Sequence, residues 1–333
     1  MNRSTFHDLK DNLQRAVTYL RISVTDRCNL RCRYCAPSRP ARVAKEHLLT
    51  LEELYRIVRI GVGLGITKVR LTGGEPLLRH GIVNFLDQLG RIPALADISL
   101  TTNGTLVDRL GGRLKQAGLH RINISLDTMD RDRFKRMTGL DLFPTVWKGI
   151  MAAVELGFAP LKINTVVMKG FNDDEIERMA ALSLRYPLHV RFIEYMPIGT
   201  DPVAAHRYFI PMAQIQDRLN RLGTLVPVPH GRHDGPARRY RFKGAPGEIG
   251  LIGSMSSPFC STCNRIRLTA TGHLRPCLLA DDQVDVITPL RQGATDRQLV
   301  ALMVQTLALK KGEHQLSFAR NKGLRTKMVS IGG

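Results

Sequence analysis

The chain has 333 residues, 43% hydrophobic and 23% charged, with no low-complexity block. That composition excludes a disordered or fibrous chain and leaves room for one large domain with an extension, or for two domains. Lysine and arginine number 49 against 29 aspartates and glutamates, and the net charge of +20 favours an anionic partner, either nucleic acid or a phosphorylated small molecule. Basic residues are scattered and aromatics make up 6%, so stacking platforms for single-stranded nucleic acid are not evident. A polyanionic small substrate is therefore the favoured reading, with RNA as its competitor. Met1–Gln14 carries neither the apolar run nor the small-residue cleavage site of a secretory signal, and no stretch is apolar for long enough to span a membrane. A cytoplasmic protein is expected.

In chain order, Tyr19–Thr25 is a β-branched run that predicts a strand ending where a cysteine-bearing loop begins. Leu48–Gly63 predicts a helix capped by Thr50, with Glu52 and Glu53 in its first turn and Leu51, Leu54, Ile57 and Val58 at helical spacing. Gly61-Val-Gly-Leu-Gly65 superficially resembles a dinucleotide loop, but it ends a helix and precedes a strand, so it reads as a helix stop. The strand–helix unit then repeats. Lys68–Thr72 leads through Gly73-Gly74-Glu75-Pro76 to a helix near Ile82–Leu89, and Asp97–Thr102 leads to one near Leu106–Ala117. Arg121–Leu126 leads to a helix near Pro144–Leu156, Leu161–Val167 to one near Asp173–Leu184, and His189–Tyr195 is a sixth strand. Six alternations predict a parallel sheet with right-handed crossovers, either an open doubly wound sheet or an incomplete barrel. Polar and glycine-rich loops recur after the strands, where (β/α) barrels carry their active sites.

Beyond Ile198 the pattern loosens, and Pro227–Pro236 reads as a linker or surface loop. Residues 264–271 and 273–278 look like a hairpin turning at Thr271-Gly272, and a last amphipathic helix is expected over Asp296–Leu309.

The six cysteines fall into two triplets, Cys28/Cys32/Cys35 and Cys260/Cys263/Cys277, which is not a disulfide framework. Three thiolates within one loop can bind iron, and a four-iron cluster normally takes four ligands, so three leave one iron open to a small molecule. The alternatives are three of four zinc ligands or three buried free cysteines; the ten residues after Cys35 offer no fourth ligand for zinc. The second triplet fits a structural zinc completed by a histidine as well as a second cluster, and the equal count in each triplet favours the cluster. Arg265 and Arg267 share a strand face with Cys263 and would put two guanidinium groups beside the metal, suited to phosphates. Gly73-Gly74 could let the backbone approach a ligand closely or be an ordinary tight turn.

The spacing C-x3-C-x2-C, with Tyr34 before the last cysteine, resembles the signature of the radical S-adenosylmethionine superfamily, in which the open iron chelates S-adenosylmethionine. The resemblance becomes specific in four blocks. Arg21–Cys35, Arg70–Pro76, Arg191–Pro197 and Gly253–Cys277 are together similar to the MoaA family, the GTP 3′,8-cyclases of molybdenum cofactor biosynthesis, over nearly the whole chain. Departures are small: Ala36 where methionine is usual, Leu13-Gln14 where Phe-Gly is frequent, and Thr271 where aspartate is common.

The resemblance implies an α/β fold, an incomplete (β/α)6 TIM-type barrel with a C-terminal extension carrying a second iron–sulfur cluster. It divides the chain into a radical S-adenosylmethionine partial barrel, 1–225, and a cluster-binding and substrate-binding region, 226–333. It implies two [4Fe-4S] clusters, on Cys28, Cys32 and Cys35 and on Cys260, Cys263 and Cys277, with S-adenosylmethionine as cofactor. Tyr34, Gly74, Ser125 and Met196 match positions that contact S-adenosylmethionine; Arg21, Arg70, Thr101, Lys162, Arg265 and Arg267 match positions that contact GTP, with Arg21, Arg265 and Arg267 also catalytic. The tail Gly332-Gly333 is similar to a family feature that enters the active site. The partners implied are GTP, an electron donor and the next enzyme of the molybdopterin pathway, and a homodimer is allowed. Rival readings are a radical enzyme acting on RNA or peptide, and a non-catalytic iron–sulfur or zinc nucleic-acid binder.

Overall fold

A computed structural model describes residues 9–35, 43–231, 234–318, 323–324 and 326–332. The expectations on Ala36 and Gly333 lie outside the described residues, as do part of the leader Met1–Gln14 and of the loop Pro227–Pro236.

Among the described residues, twelve strands form one sheet: β1 Tyr19–Ser23, β2 Lys68–Thr72, β3 Asp97–Thr102, β4 Arg121–Ser125, β5 Leu161–Val167, β6 Leu188–Glu194, β7 Leu225–Pro227, β8 Arg238–Phe242, β9 Glu248–Ile252, β10 Arg265–Leu268, β11 His273–Arg275 and β12 Val284–Asp285. Their spatial order is β12-β11-β10-β1-β2-β3-β4-β5-β6-β9-β8-β7. The six predicted strands lie side by side in parallel, as right-handed β–α–β crossovers require. Residues beyond 225 extend this sheet at both edges, β10 in parallel against β1 and β9 in parallel against β6, before antiparallel ribbons end it. The ends of the sheet do not meet, so the barrel is incomplete.

Helices follow the strands within three residues of the sequence reading: α1 Leu51–Gly63, α2 Ile82–Gly90 and α3 Val107–Gln116. The first is closed by the predicted cap, the Glu53 amide donating to Thr50 Oγ1 at 3.1 Å and the Thr50 amide to Glu53 Oε2 at 2.7 Å. Next come α4 Arg131–Thr138, absent from the sequence reading, and α5 Phe143–Glu155. The helix expected over Asp173–Leu184 is broken into a 3-10 turn, Asp173–Glu175, and two short helices, Ile176–Ala180 and Leu182–Arg185.

Strand alternation explains why the interior is hollow. Leu20, Ile22, Val69, Leu71, Ile98, Leu100, Ile122, Ile124, Ile163, Val190 and Phe192 point outward into the core beneath the helices, each at most 1% exposed. The intervening positions point inward and are polar: Arg21, Arg70, Ser99, Asn123, Lys162, Asn164 and Arg191. Parallel strands are usually apolar on both faces, so a polar inner face marks a chamber for a polar ligand.

Candidate active site

The chamber opens at the carboxyl ends of the strands as a cavity of about 1380 Å³. Arg21, Arg70, Arg191, Arg265 and Arg267 line it, and among the described residues none that lines it is acidic. Register places Arg267 beside Arg21 and Arg21 beside Arg70, a cationic row across three adjacent strands. Arg70 Nε donates to Ser99 Oγ at 3.0 Å, and Arg191 lies across Gly250 of β9, where a Cβ would stand 2.9 Å from its Cγ. Burial, then mutual repulsion with Arg70, draws Arg191 down to about 9. Burial and the charges of Arg191, Arg121 and Arg70 draw Lys162 down to about 6. An anion entering this wall would relieve the repulsion that lowers both.

The first cysteine triplet occupies one side of the cavity. Its loop is tied down from three directions. The Gly74 amide donates to Thr25 O at 2.8 Å and the Glu75 amide to Arg27 O at 2.7 Å; a Cβ on Gly74 would meet Arg27 O at 2.2 Å. The two chains touch backbone to backbone, so here the glycine serves the loop's seat. From α4, the Thr138 and Met137 carbonyls accept from the Arg31 and Arg33 amides at 2.8 and 3.0 Å. From just past β4, Asp127 Oδ2 accepts the Tyr34 hydroxyl at 2.8 Å, and from just past β3, Asn103 Nδ2 donates to Asn29 Oδ1 at 2.7 Å. Buried Glu75 accepts from Thr102 Oγ1 and the Asn103 and Leu77 amides; burial nevertheless pushes it up to about 7.

These thiols are electrostatically disfavoured as anions. Burial, then the neighbouring sulfurs and Asp127, pushes Cys32 well up and Cys35 to about 12. Burial also raises Cys28, whose sulfur accepts the Leu30 amide at 3.4 Å.

The second triplet lines a pocket that shares Met196, Ser254, Phe259, Arg265, Arg267 and Leu278 with the main cavity. Cys277 Sγ accepts the Leu279 amide at 3.3 Å. Lys310 Nζ stands 3.4 Å from Cys263 Sγ, and burial of that thiol is outweighed by the Arg265 and Lys310 charges, which hold it at about 6. Glu194, at the end of β6, fixes the preceding Gly253-Ser-Met-Ser block by accepting the Met255 and Ser256 amides at 2.7 and 2.9 Å. Arg15 Nη1 donates to Cys260 O. Among the described residues no three His, Cys, Asp or Glu side chains stand close enough to close around one metal ion. Three sulfurs in each triplet, each triplet open on one side to a cavity, suit a multi-iron group with one corner left for a ligand.

Of the residues singled out from sequence, Arg21, Tyr34, Arg70, Gly74, Thr101, Ser125, Met196, Arg265, Arg267 and the first cysteine triplet share the main cavity. Lys162 does not line it. It sits in an adjoining small pocket that shares Arg191 and Gly235 with the cavity. Gly332 touches two residues that line the cavity, its carbonyl accepting from Arg267 Nη1 at 2.7 Å, and a Cβ on it would meet Thr72 Oγ1. Sequence reasoning left Arg191, Asn164 and Lys310 unassigned. The signal for the first two was present, polar residues at period two in otherwise apolar strands; Lys310 had none, since its contacts depend on a helix packing against the second triplet.

Two family models match the chain, the Radical SAM superfamily over residues 22–183 and Molybdenum Cofactor Synthesis C over residues 188–316. The GTP 3′,8-cyclase of Moorella thermoacetica is 47% identical over 309 residues, 92% of this chain and 95% of that one. The chain belongs to the GTP 3′,8-cyclase family. The family member from Pelotomaculum thermopropionicum is 45% identical over 327 residues, covering 98% of this chain and 100% of that one. In fold, the chain is similar to Streptococcus suis SuiB bound to S-adenosylmethionine, with a TM-score of 0.56 at 16% identity, over 80% of this chain and 63% of that one. Among the described residues no helix is long and apolar enough to cross a membrane.

Proposed function

We infer that this chain is a radical S-adenosylmethionine GTP 3′,8-cyclase. It is a lyase converting GTP to (8S)-3′,8-cyclo-7,8-dihydroguanosine 5′-triphosphate, the first step of molybdopterin biosynthesis. The observation that carries this reading is an arginine-lined, acid-free cavity flanked by one cysteine triplet and joined through Arg265 and Arg267 to the pocket of the other. Two [4Fe-4S] clusters and S-adenosylmethionine are its cofactors. When bound, the first cluster with S-adenosylmethionine supplies hydrogen abstraction at the ribose 3′ carbon, which then bonds to C8 of guanine.

The chain's own residues bind and orient. Cys28, Cys32 and Cys35 would hold the first cluster, and Tyr34, Gly74, Ser125 and Met196 would seat S-adenosylmethionine beside it. Arg21 and Arg70 form a phosphate-binding wall, because planar guanidinium groups match phosphate oxygens in pairs. Thr101 and Lys162 assist, Lys162 from its pocket behind Arg191. Cys260, Cys263 and Cys277 would hold the second cluster, with Arg265 and Arg267 turning the nucleotide towards it. In this reading residues 1–225 generate the reactive species and residues 226–333 present the substrate. An electron donor, a cytoplasmic setting, transfer to the next molybdopterin enzyme and a homodimer complete the proposal.

The test is 5′-deoxyadenosine formation by anaerobically reconstituted protein given S-adenosylmethionine and reductant, with and without GTP, ATP or RNA. Stimulation by GTP alone, with a cyclised guanine product, is expected. Formation indifferent to GTP would discard the substrate, and none at all despite loaded clusters would favour a binding protein. Cys260→Ala should spare S-adenosylmethionine cleavage more than GTP turnover; equal loss in a folded variant would count against separate roles for the two sites.

A further inference from the structure

Lys310 is 5% exposed, just past the carboxyl end of the helix Asp296–Ala308, and its ammonium has three acceptors. Nζ lies 3.0 Å from Arg265 O, 3.1 Å from Pro276 O and 3.4 Å from Cys263 Sγ. Two of these are carbonyls, and the third is the sulfur of a residue assigned above to the second cluster. A buried ammonium demands polar partners, and here they are two carbonyls and the Cys263 sulfur. The two carbonyls are also informative. Arg265 follows Cys263 at the start of β10, and Pro276 immediately precedes Cys277. One side chain therefore ties together the two chain segments that bring Cys263 and Cys277 to the same pocket.

We propose that Lys310 is a positioning residue for the second cluster: it holds the Cys263 and Cys277 segments in ligating register and lays a fixed positive charge against the Cys263 sulfur. The proposal rests on the two-cluster reading above. Its consequence is redox. Charge and hydrogen bonds at the sulfurs are among the levers that set a cluster's potential, and a cation there favours the reduced, more negative form. The charge also offsets part of the repulsion that three thiolates impose on one another before iron arrives.

The experiment uses full-length protein reconstituted anaerobically, as wild type, Lys310→Met and Lys310→Arg, with iron counted per chain and the clusters titrated by electron paramagnetic resonance. The first cluster is recognised by its change of signal on adding S-adenosylmethionine. At a fixed applied potential, the reduced-to-oxidised ratio of the second cluster should fall about tenfold in Lys310→Met, 59 mV for a one-electron couple, with the first cluster unmoved. Lys310→Arg should recover most of that loss. If Lys310→Met binds only about four irons where wild type and Lys310→Arg bind about eight, the charge is needed for ligation itself, which also supports the proposal. An unchanged potential in fully loaded Lys310→Met overturns it, as does identical failure of the Met and Arg variants. Neither readout needs GTP turnover, so loss of the cyclase reading alone leaves the result standing; a wild type holding only about four irons removes the second cluster and this proposal together.

Discussion

Cys28, Cys32 and Cys35 sit near one another, Asp127 and Glu75, in surroundings that drive the thiols upward, whereas Cys263 lies between Arg265 and Lys310 and is held at about 6. The two triplets thus offer equal numbers of sulfurs, but only the second holds a thiol drawn downward; burial pushes its Cys260 up, as it does the thiols of the first. In the first, the metal must supply nearly all the positive charge that makes the sulfurs anionic, so binding displaces protons. At Cys263 in the second, Arg265 and Lys310 supply part of it beforehand. The first loop compensates with rigidity, being pinned by α4, by Asp127 and by the Gly73-Gly74 turn.

The largest effect should come from breaking that rigidity. Gly74→Ala places a methyl 2.2 Å from the Arg27 carbonyl, and the obstacle is backbone, so the cysteine loop must shift. A loss of about 3 kcal/mol in stability is expected, together with loss of iron from the first triplet while the second still loads. Iron counts and S-adenosylmethionine cleavage would show it; full cleavage in this variant would mean the loop does not depend on that contact.

The electrostatic half of the comparison is sharpened by alkylating the apoprotein across pH. A thiol held at about 6 is mostly thiolate above that pH and protonates below it, so Cys263 should react readily near neutrality and slow about tenfold per unit below its midpoint. Cys35, pushed to about 12, should remain thiol and resist throughout the neutral range. Peptide mass spectrometry of the labelled sites decides it; equal labelling of the two would erase the contrast.

The smallest effect belongs to the support of the second triplet. Gln14 adopts φ 59, a left-handed conformation that L side chains pay for sterically, at a position where the family often has glycine. It lies between Leu13 and Arg15, whose amides both donate to Asp11 Oδ1, and Arg15 in turn reaches Cys260 O. Gln14→Gly should stabilise the protein by about 0.5–1 kcal/mol, read as a shifted denaturation midpoint, with iron content unchanged.

The six parallel strands were legible because apolar positions at period two alternate with helical runs, though their order, barrel or doubly wound, was not; Thr50 with Glu53 marks the first helix start unmistakably. The site was legible where residues lie close in sequence, as in both cysteine triplets and the Arg265/Arg267 pair. What was not legible depends on long-range pairing. Nothing local in Arg265–Leu268 says that it will lie in parallel beside β1, or that Glu248–Ile252 will flank β6. The missed helix α4 was detectable: Asp130 caps it, accepting the Arg133 amide at 2.6 Å, Phe134 and Met137 are spaced for one face, and Gly139 ends it at φ 77. Its proximity to Pro144 let it pass as a loop.

The pairing of β1 with β10 also bears on how the molecule assembles. During synthesis β1 emerges near the start, yet one of its two edges is covered only by a strand that follows the whole (β/α)6 run. Such a distant partner raises contact order and leaves a hydrogen-bonding edge open to other chains in the interval. The same event that seals this edge carries Arg265 and Arg267 into the chamber beside Arg21, so the nascent protein has no complete phosphate-binding wall until its sheet is closed at that side.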